Sequence, residues 1–143
     1  MTTTEQLLKE KNAILEKELA AQNRELEIES SLERVRAVAM SMKEPADMLD
    51  ICKTISHQLQ SLNVKEIRNV QTAIFYESKG TYMNYEYYAK HDKTFITETS
   101  YTNNKIHLEF AEKMLKGPGE FMTAHIIGDE VKNWIAYQKT TNV

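Results

Sequence analysis

The first 44 residues follow one helical pattern of apolar and polar positions, with neither Gly nor Pro before Pro45. Within this stretch, leucines and two polar amides recur at alternating spacings of four and three residues, which is typical of the seam of a coiled coil. The seam residues are Leu8, Asn12, Leu15, Leu19, Gln22 and Leu26. A helix over nearly all of this stretch spans about 58 Å at ~1.5 Å per residue, more than a small domain needs for its own core. Residues 1–44 are therefore predicted to form a coiled coil that pairs two chains.

The seam also predicts how the two chains pair. Asn12, Leu19 and Leu26 occupy a positions, and Leu8, Leu15 and Gln22 occupy d positions. An asparagine at a pairs with its own copy only when the two helices are parallel and in register. We therefore expect a parallel, two-stranded homodimer.

The two ends of this helix carry further signals. Thr3 followed by Gln6 fits a capping box and predicts Thr3 as the N-cap. Beyond Leu26 the apolar stripe shifts by one residue, which a straight two-stranded coil would not do without cause. We expect this second stripe to leave the partner helix and pack on the globular part. Its residues are Ile28, Leu32, Val35, Ala39 and Met42.

The remaining residues, 45–143, predict an α+β domain with a mainly antiparallel sheet flanked by helices. A helix begins near Pro45 and ends near Asn63, and apolar positions then alternate with a period of two. The expected strands are 70–77, 81–89, 94–102 and 120–127. The other expected helices are 106–116, which Gly117-Pro118-Gly119 ends, and one from Asp129 to about Gln138. We expect this last helix to cover a sheet edge with Trp134, because so large an apolar group is costly to leave in water.

A cluster of tyrosines marks the predicted strand 81–89. Alternation places Tyr85 and Tyr87 on one face and Tyr82 and Tyr88 on the other. We expect the face of Tyr85 and Tyr87 to point inward, beneath the helix 48–62 or a neighbouring one. Cross-strand aromatic packing explains the cluster without any ligand and is the preferred interpretation. The alternative is a ligand pocket or partner surface; the pocket residues would be Tyr76, Tyr85 and Tyr87.

Charge and composition exclude several classes of protein. The net charge is −3 and acids are interspersed with bases, so the basic stripe that nucleic acid requires is missing. No apolar run approaches the length of a membrane span, and the N-terminus lacks the pattern of a signal peptide. The single cysteine, Cys52, cannot form an internal disulfide, which suits a reducing compartment. A cytoplasmic protein is expected.

The sequence shows no recognisable catalytic or metal-binding pattern. Ile55-Ser56-His57-Gln58-Leu59 is similar to the phosphoacceptor box of histidine kinases, but Gln58 replaces the acid that would activate the imidazole. The histidines and Cys52 lack the paired spacing of a zinc site. The histidines are His57, His91, His107 and His125. We expect no catalysis, no metal and no cofactor.

Residues 31–42, Ser-Leu-Glu-Arg-Val-Arg-Ala-Val-Ala-Met-Ser-Met, resemble the segment that precedes GAF-like sensor domains in bacterial signalling proteins, many of them histidine kinases or cyclases. The resemblance continues through residues 46–62 and weakly at 117–121 and 128–130. Asn103-Asn104-Lys105 stands where the family has a His-Pro pair. The chain also ends before the family's further strands and closing helix, so a domain truncated at its C-terminus is expected. The resemblance carries over no functional residue, and it implies a mechanical role for the matched helix.

Together these features predict a dimeric, GAF-like input module of a signalling protein, itself without catalytic activity. A small-molecule ligand of unknown identity and a downstream signalling domain are its expected partners. A dimerisation or scaffold module that binds another protein is the alternative, and a small enzyme is the third class. A buried cavity beside the tyrosines would favour the sensor, and a flat exposed apolar patch would favour the scaffold.

Overall fold

The computed structural model describes residues 2–124 and 126–141, and for residues 137–141 it describes the backbone alone. In this part of the chain the fold is α+β, with four α-helices and a three-stranded antiparallel sheet. The chain divides into two compact units, Met1–Ile67 and Arg68–Val143. The helix that follows Pro45 belongs to the first unit, whereas the sequence pattern grouped it with the sheet.

The first unit begins with a long helix, α1, which spans Thr3–Met40. Its N-cap is Thr2, not Thr3: the Thr2 hydroxyl accepts a hydrogen bond from the Glu5 amide at 3.2 Å, and the Glu5 carboxylate accepts one from the Thr2 amide. Thr2–Glu5 and Thr3–Gln6 both fit the capping box. The helix uses the Thr2–Glu5 box because the negative charge of the Glu5 carboxylate is stabilised at the positive end of the helix dipole, whereas Gln6 carries no charge. None of the helices in the described residues has the length and apolar character that a membrane crossing requires.

The C-terminal half of α1 packs on the second helix, α2, which spans Met48–Ser61. The least exposed positions of α1 are Ser31, Val35 and Val38, which follow the helical spacing of one face. The prediction that the second apolar stripe of α1 packs on the rest of the protein is therefore wrong for every member except Val35. Its other members, Ile28, Leu32, Ala39 and Met42, are exposed. The packed face of α1 is centred on the small Ser31, so hydrophobicity alone did not reveal it.

Local interactions define both ends of α2. Pro45–Asp47 form a short 3₁₀ turn before it, and the Asp47 carboxylate accepts hydrogen bonds from the amides of Lys43 and Glu44. These bonds lower the pKa of the Asp47 carboxyl group, and the bond from the Lys43 amide has the larger effect. At the other end Asn63 adopts a left-handed conformation with φ 64°. The amide of Val64 reaches the carbonyl of Leu59, which completes a Schellman motif.

The second unit contains a sheet of three antiparallel strands in the order β1-β2-β3. The strands are β1, Val70–Tyr76; β2, Thr81–Tyr88; and β3, Lys93–Ser100. These bounds agree with the first three predicted strands to within two residues. Gly80 closes the first hairpin with φ 66°, and a Cβ there would lie 3.0 Å from the Thr102 methyl group. The turn therefore requires glycine.

Two helices complete this unit. α3 spans Lys105–Met114 and is capped by the Asn104 side chain, which accepts hydrogen bonds from the amides of Ile106 and His107. α4 spans Asp129–Thr141. It contacts β3, which is an edge strand of the sheet. That this helix covers the edge itself stays a prediction.

The predicted fourth strand, 120–127, is wrong for the residues that the structure describes. Residues 120–124, 126 and 127 are not in a strand, and His125 lies outside the described residues. Phe121 and Ile127 are 77% and 75% exposed, as expected of a segment that lacks a strand partner. Alternating apolar residues make a strand only where a neighbouring edge can pair with them.

The core of the second unit lies between one face of the sheet and α3. Tyr82 is its central residue, at 2% exposure, and Tyr101 and Ala111 are buried beside it. The Tyr82 ring lies 5.3 Å from Phe75, 6.3 Å from Tyr101 and 5.8 Å from Phe110, centroid to centroid. Such distances are typical of favourable aromatic pairs.

The opposite face of β2 is buried as well. Tyr85 and Tyr87 are 4% and 5% exposed, so the burial predicted for them is confirmed. That a helix covers them stays a prediction. The Tyr87 hydroxyl donates a hydrogen bond to Asp92 at 3.2 Å, and burial raises the pKa of Tyr85. Both faces of this strand therefore bury tyrosine.

Candidate functional site

A cavity of about 390 Å³ lies within the second unit, against the face of the sheet that carries Tyr82. β1, β2, α3, α4 and the segment between the two helices all contribute to its walls. The described lining residues are Gln71, Thr72, Ala73, Tyr82, Asn84, Glu86, Ile106, His107, Phe110, Met122, Ala124, Ile126 and Trp134. Apolar and aromatic walls with a few convergent polar groups are typical of small-molecule sites of this size.

Two side-chain amides at the floor of the cavity and a hydroxyl on the next strand form a polar line across the sheet. The Gln71 amide nitrogen donates to the Asn84 side-chain oxygen, and the Asn84 amide nitrogen donates to the Thr99 hydroxyl at 2.7 Å. Asn84 and Thr99 are 4% and 3% exposed. Because these buried groups are hydrogen-bonded to one another, the line is held in one orientation.

His107 lines the cavity and also contacts Tyr82, the central residue of the core of the second unit. Its Nδ1 lies 2.5 Å from the Tyr82 hydroxyl oxygen, and the residue is 4% exposed. Burial lowers the pKa of His107 from 6.5 to about 4, because a charged imidazole would lose its hydration there. The imidazole is therefore neutral at pH 7. It takes part in a hydrogen bond with Tyr82 and carries no charge into the cavity.

Trp134 on α4 also lines the cavity, next to His107. Its indole stacks on the His107 ring with centroids 4.6 Å apart and an interplanar angle of 22°. The residue is half-buried, so the expectation that Trp134 is covered is confirmed. It is also the only tryptophan in the chain, which makes its fluorescence a specific probe of the cavity.

Glu86 is the one carboxylate among the described lining residues. It is half-buried on β2, and the Tyr88 hydroxyl donates a hydrogen bond to its Oε2 at 3.1 Å. No Lys or Arg is among the described lining residues. The described part of the lining therefore carries a formal charge of −1 at neutral pH.

The described lining holds few of the side chains that commonly act in catalysis. A histidine whose pKa is about 4 is a weak base at pH 7, and its Nδ1 is already engaged with Tyr82. The described lining includes no Ser, Cys or Lys that could act as a nucleophile. Within the described residues, no group of three or more His, Cys, Asp or Glu could hold a metal ion.

The predicted pocket residues do not line this cavity. Tyr85 and Tyr87 lie on the opposite face of β2, and Tyr76 lies on that same opposite face through its pairing with Thr81. The Lys79 ammonium lies 5.5 Å above the Tyr76 ring. A ligand site at these three tyrosines stays a prediction, since the cavity lies across the sheet from them.

The predicted dimer seam lies on the exposed N-terminal part of α1. Its four leucines are between half and two-thirds exposed, and Asn12 and Gln22 are exposed as well. These leucines are Leu8, Leu15, Leu19 and Leu26. Leu7 and Ile14, each one position before a seam leucine, are also exposed.

The sequence analysis missed the residues that distinguish this site: Gln71, Asn84, Glu86, His107 and Trp134 in its cavity role. One signal was available. His107, Phe110, Ala111 and Met114 share one face of α3, so the helical period alone would have placed His107 on the packed side. The amide line had no comparable signal, because the register of β1 on β2 is what brings Gln71 near Asn84.

Comparison of the chain with protein-family models, with curated proteins and with solved structures finds no match in any of the three.

Proposed function

We propose that the protein is a non-catalytic, cytoplasmic, GAF-like input module of a signalling protein, in which the second unit binds a small molecule and α1 pairs two chains. The cavity beneath Trp134 is the observation that carries this proposal. It combines a size of about 390 Å³ with aromatic walls and a preorganised polar floor. Ligand binding there would change the conformation of the module, and the paired helices would transmit that change to a downstream signalling domain.

A second candidate function is a dimerisation or scaffold module that binds another protein. The exposed leucines of α1 favour it, since they offer a partner surface whether or not the cavity is occupied. The two candidates differ in one respect: only the sensor requires a ligand in the cavity.

Narrowing the cavity should abolish ligand binding. Ala73 on β1 and Ala124 on the segment between α3 and α4 both line it, and leucine at either position would fill part of its volume. We expect small fragments that shift the NMR signals of Trp134 and His107 in the wild-type protein to lose affinity by about tenfold or more in Ala73→Leu and Ala124→Leu. Ala46→Leu, at an exposed position of the first unit, is the matched control and should bind as the wild type does.

Circular dichroism would show that each variant keeps its fold. Two leucine variants that bind fragments as well as the wild type does would place the ligand elsewhere. If no fragment in a chemically diverse library binds the wild-type cavity at millimolar concentration, the sensor proposal fails and the scaffold alternative takes its place.

The coiled coil should make the protein a dimer at tens of micromolar. Leu15→Asp places a charge in the seam and should yield a monomer by light scattering, because a buried unpaired charge outweighs what the remaining seam contributes. Ile14→Asp, one residue away, outside the a and d positions and also exposed in the single chain, is the control and should stay dimeric.

The direction of pairing has its own test. In a Cys52→Ser background, Asn12→Cys should form a symmetric disulfide on mild oxidation, since a positions face each other in a parallel coil. Asn12→Leu should raise the thermal stability of the dimer and loosen its choice of oligomer. Light scattering that gives a monomer for the unmodified protein would refute the dimer, and failure of Asn12→Cys to cross-link would refute its parallel direction.

A further inference from the structure

The charge in the cavity limits what it can bind. Glu86 contributes a carboxylate to the lining, and the hydrogen bond from Tyr88 occupies only its Oε2. A carboxylate has about four acceptor sites on its two oxygens. Glu86 can therefore accept further hydrogen bonds from a donor placed in the cavity.

The surroundings of Glu86 offer little to neutralise it from inside the cavity. Among the described lining residues, the imidazole of His107 is neutral at pH 7, because burial lowers its pKa to about 4, and none is a Lys or Arg. The Arg68 guanidinium lies 6.0 Å from the centre of the Tyr88 ring but is not among the lining residues. An anionic ligand would thus meet a negative carboxylate, with no cation among the described lining residues to balance it.

The walls add a second preference for positive charge. Tyr82, Phe110 and Trp134 present aromatic rings to the cavity, and Trp134 is the side chain with the strongest attraction for cations. Cations are attracted to aromatic faces within about 6 Å, most strongly where water is excluded. Apolar groups such as Ile106 and Met122 complete the lining and would accommodate a hydrocarbon body.

We propose that this cavity selects a small organic cation, a protonated amine or guanidinium carried on an apolar or aromatic body, with Glu86 as its counter-ion. This inference rests on the proposed small-molecule function and specifies its ligand class. The charged head lies at Glu86, where the carboxylate accepts its hydrogen bonds. The apolar body lies among Phe110, Met122 and Trp134.

Three isosteric probes test the charge directly: 2-phenylethylammonium, the neutral 2-phenylethanol and the anionic phenylacetate. Binding to the full chain is followed by Trp134 fluorescence and by NMR shifts of the cavity residues. We expect the ammonium probe to bind about tenfold or more tightly than the alcohol, and the carboxylate to bind weakest. Glu86→Gln should remove this preference while the alcohol still binds.

The control variant is Glu112→Gln, which removes a carboxylate at an exposed position of α3 outside the cavity lining. It should keep the preference for the ammonium probe. Retained binding of the alcohol in Glu86→Gln shows that the variant is folded, so the loss of preference reports charge and not unfolding.

The outcomes separate this inference from the function on which it rests. If the alcohol binds as tightly as the ammonium probe, or if Glu86→Gln leaves the preference intact, the cation inference is overturned and the small-molecule site stands. If none of the three probes binds but other fragments do so in a manner sensitive to Ala73→Leu, the cation inference is overturned alone. If no fragment binds at all, both proposals fall.

Discussion

Replacing Tyr82 with alanine should lower the free energy of unfolding by about 4 kcal/mol, the largest effect expected of any single substitution in the second unit. The side chain is 2% exposed, packs against Phe75, Tyr101 and Phe110, and hydrogen-bonds to His107. Truncation leaves a cavity in the core and takes the hydroxyl away from a buried imidazole. Urea denaturation followed by circular dichroism measures the change.

One further variant measures how much of this loss of stability comes from the hydroxyl group, and another serves as a control. Tyr82→Phe keeps the ring and removes the hydroxyl, so it should cost about 1–2 kcal/mol, the usual effect of removing one partner of a buried hydrogen bond. Tyr76→Ala is the control: its side chain is half-buried at the end of β1, and its loss should cost less than that of Tyr82. A Tyr82→Ala protein as stable as Tyr76→Ala would contradict a core centred on Tyr82.

The stability of the second unit should fall between pH 6.5 and pH 4 because of His107. Folding lowers the pKa of this histidine from 6.5 to about 4. Above pH 6.5 the imidazole is neutral in both states and contributes no pH dependence. As the pH falls through 6.5, the unfolded chain takes up a proton that the folded protein does not bind until about pH 4. The expected loss across this window is about 3 kcal/mol.

A difference measurement isolates this contribution from that of the other titrating groups. Free energies of unfolding at several pH values are compared between the wild type and His107→Asn, which can still hydrogen-bond to Tyr82 but does not titrate. The wild-type curve should fall more steeply towards low pH than the variant curve. His91→Asn, at an exposed position, should keep the wild-type slope. Parallel curves for the wild type and His107→Asn would show that His107 is not buried as a neutral group.

Local sequence patterns predicted most of the secondary structure. The long helix, the helix after Pro45, the three strands and the helices after residues 104 and 128 all lie near their predicted places. These elements were predictable because side-chain period, caps and turn residues act over a few neighbouring positions. The shift of the N-cap to Thr2 shows the limit, since two capping boxes overlapped and only their relative electrostatics distinguished them.

Contacts between residues distant in sequence decided two features that the sequence pattern predicted wrongly: the conformation of the described residues within 120–127 and the packed face of α1. Residues 120–127 alternate like a strand, yet the described residues of that segment find no strand partner, and Ala124 and Ile126 line the cavity instead. Similarly, the packed face of α1 is centred on Ser31, which no hydrophobic pattern would select. Both outcomes depend on which surface a segment meets, and that surface belongs to residues distant in sequence.

By itself, the sequence determined the charge, the exposed leucine seam of α1 and the tyrosine alternation of β2, because each is a property of one segment. The tertiary structure alone decided where the candidate site lies. It placed the cavity on the face of Tyr82, across the sheet from the predicted pocket tyrosines, and it brought Asn84, His107 and Trp134 together from a strand and two helices. A strand's alternation divides its side chains between two faces, but only the packing of other elements decides which face keeps an open cavity.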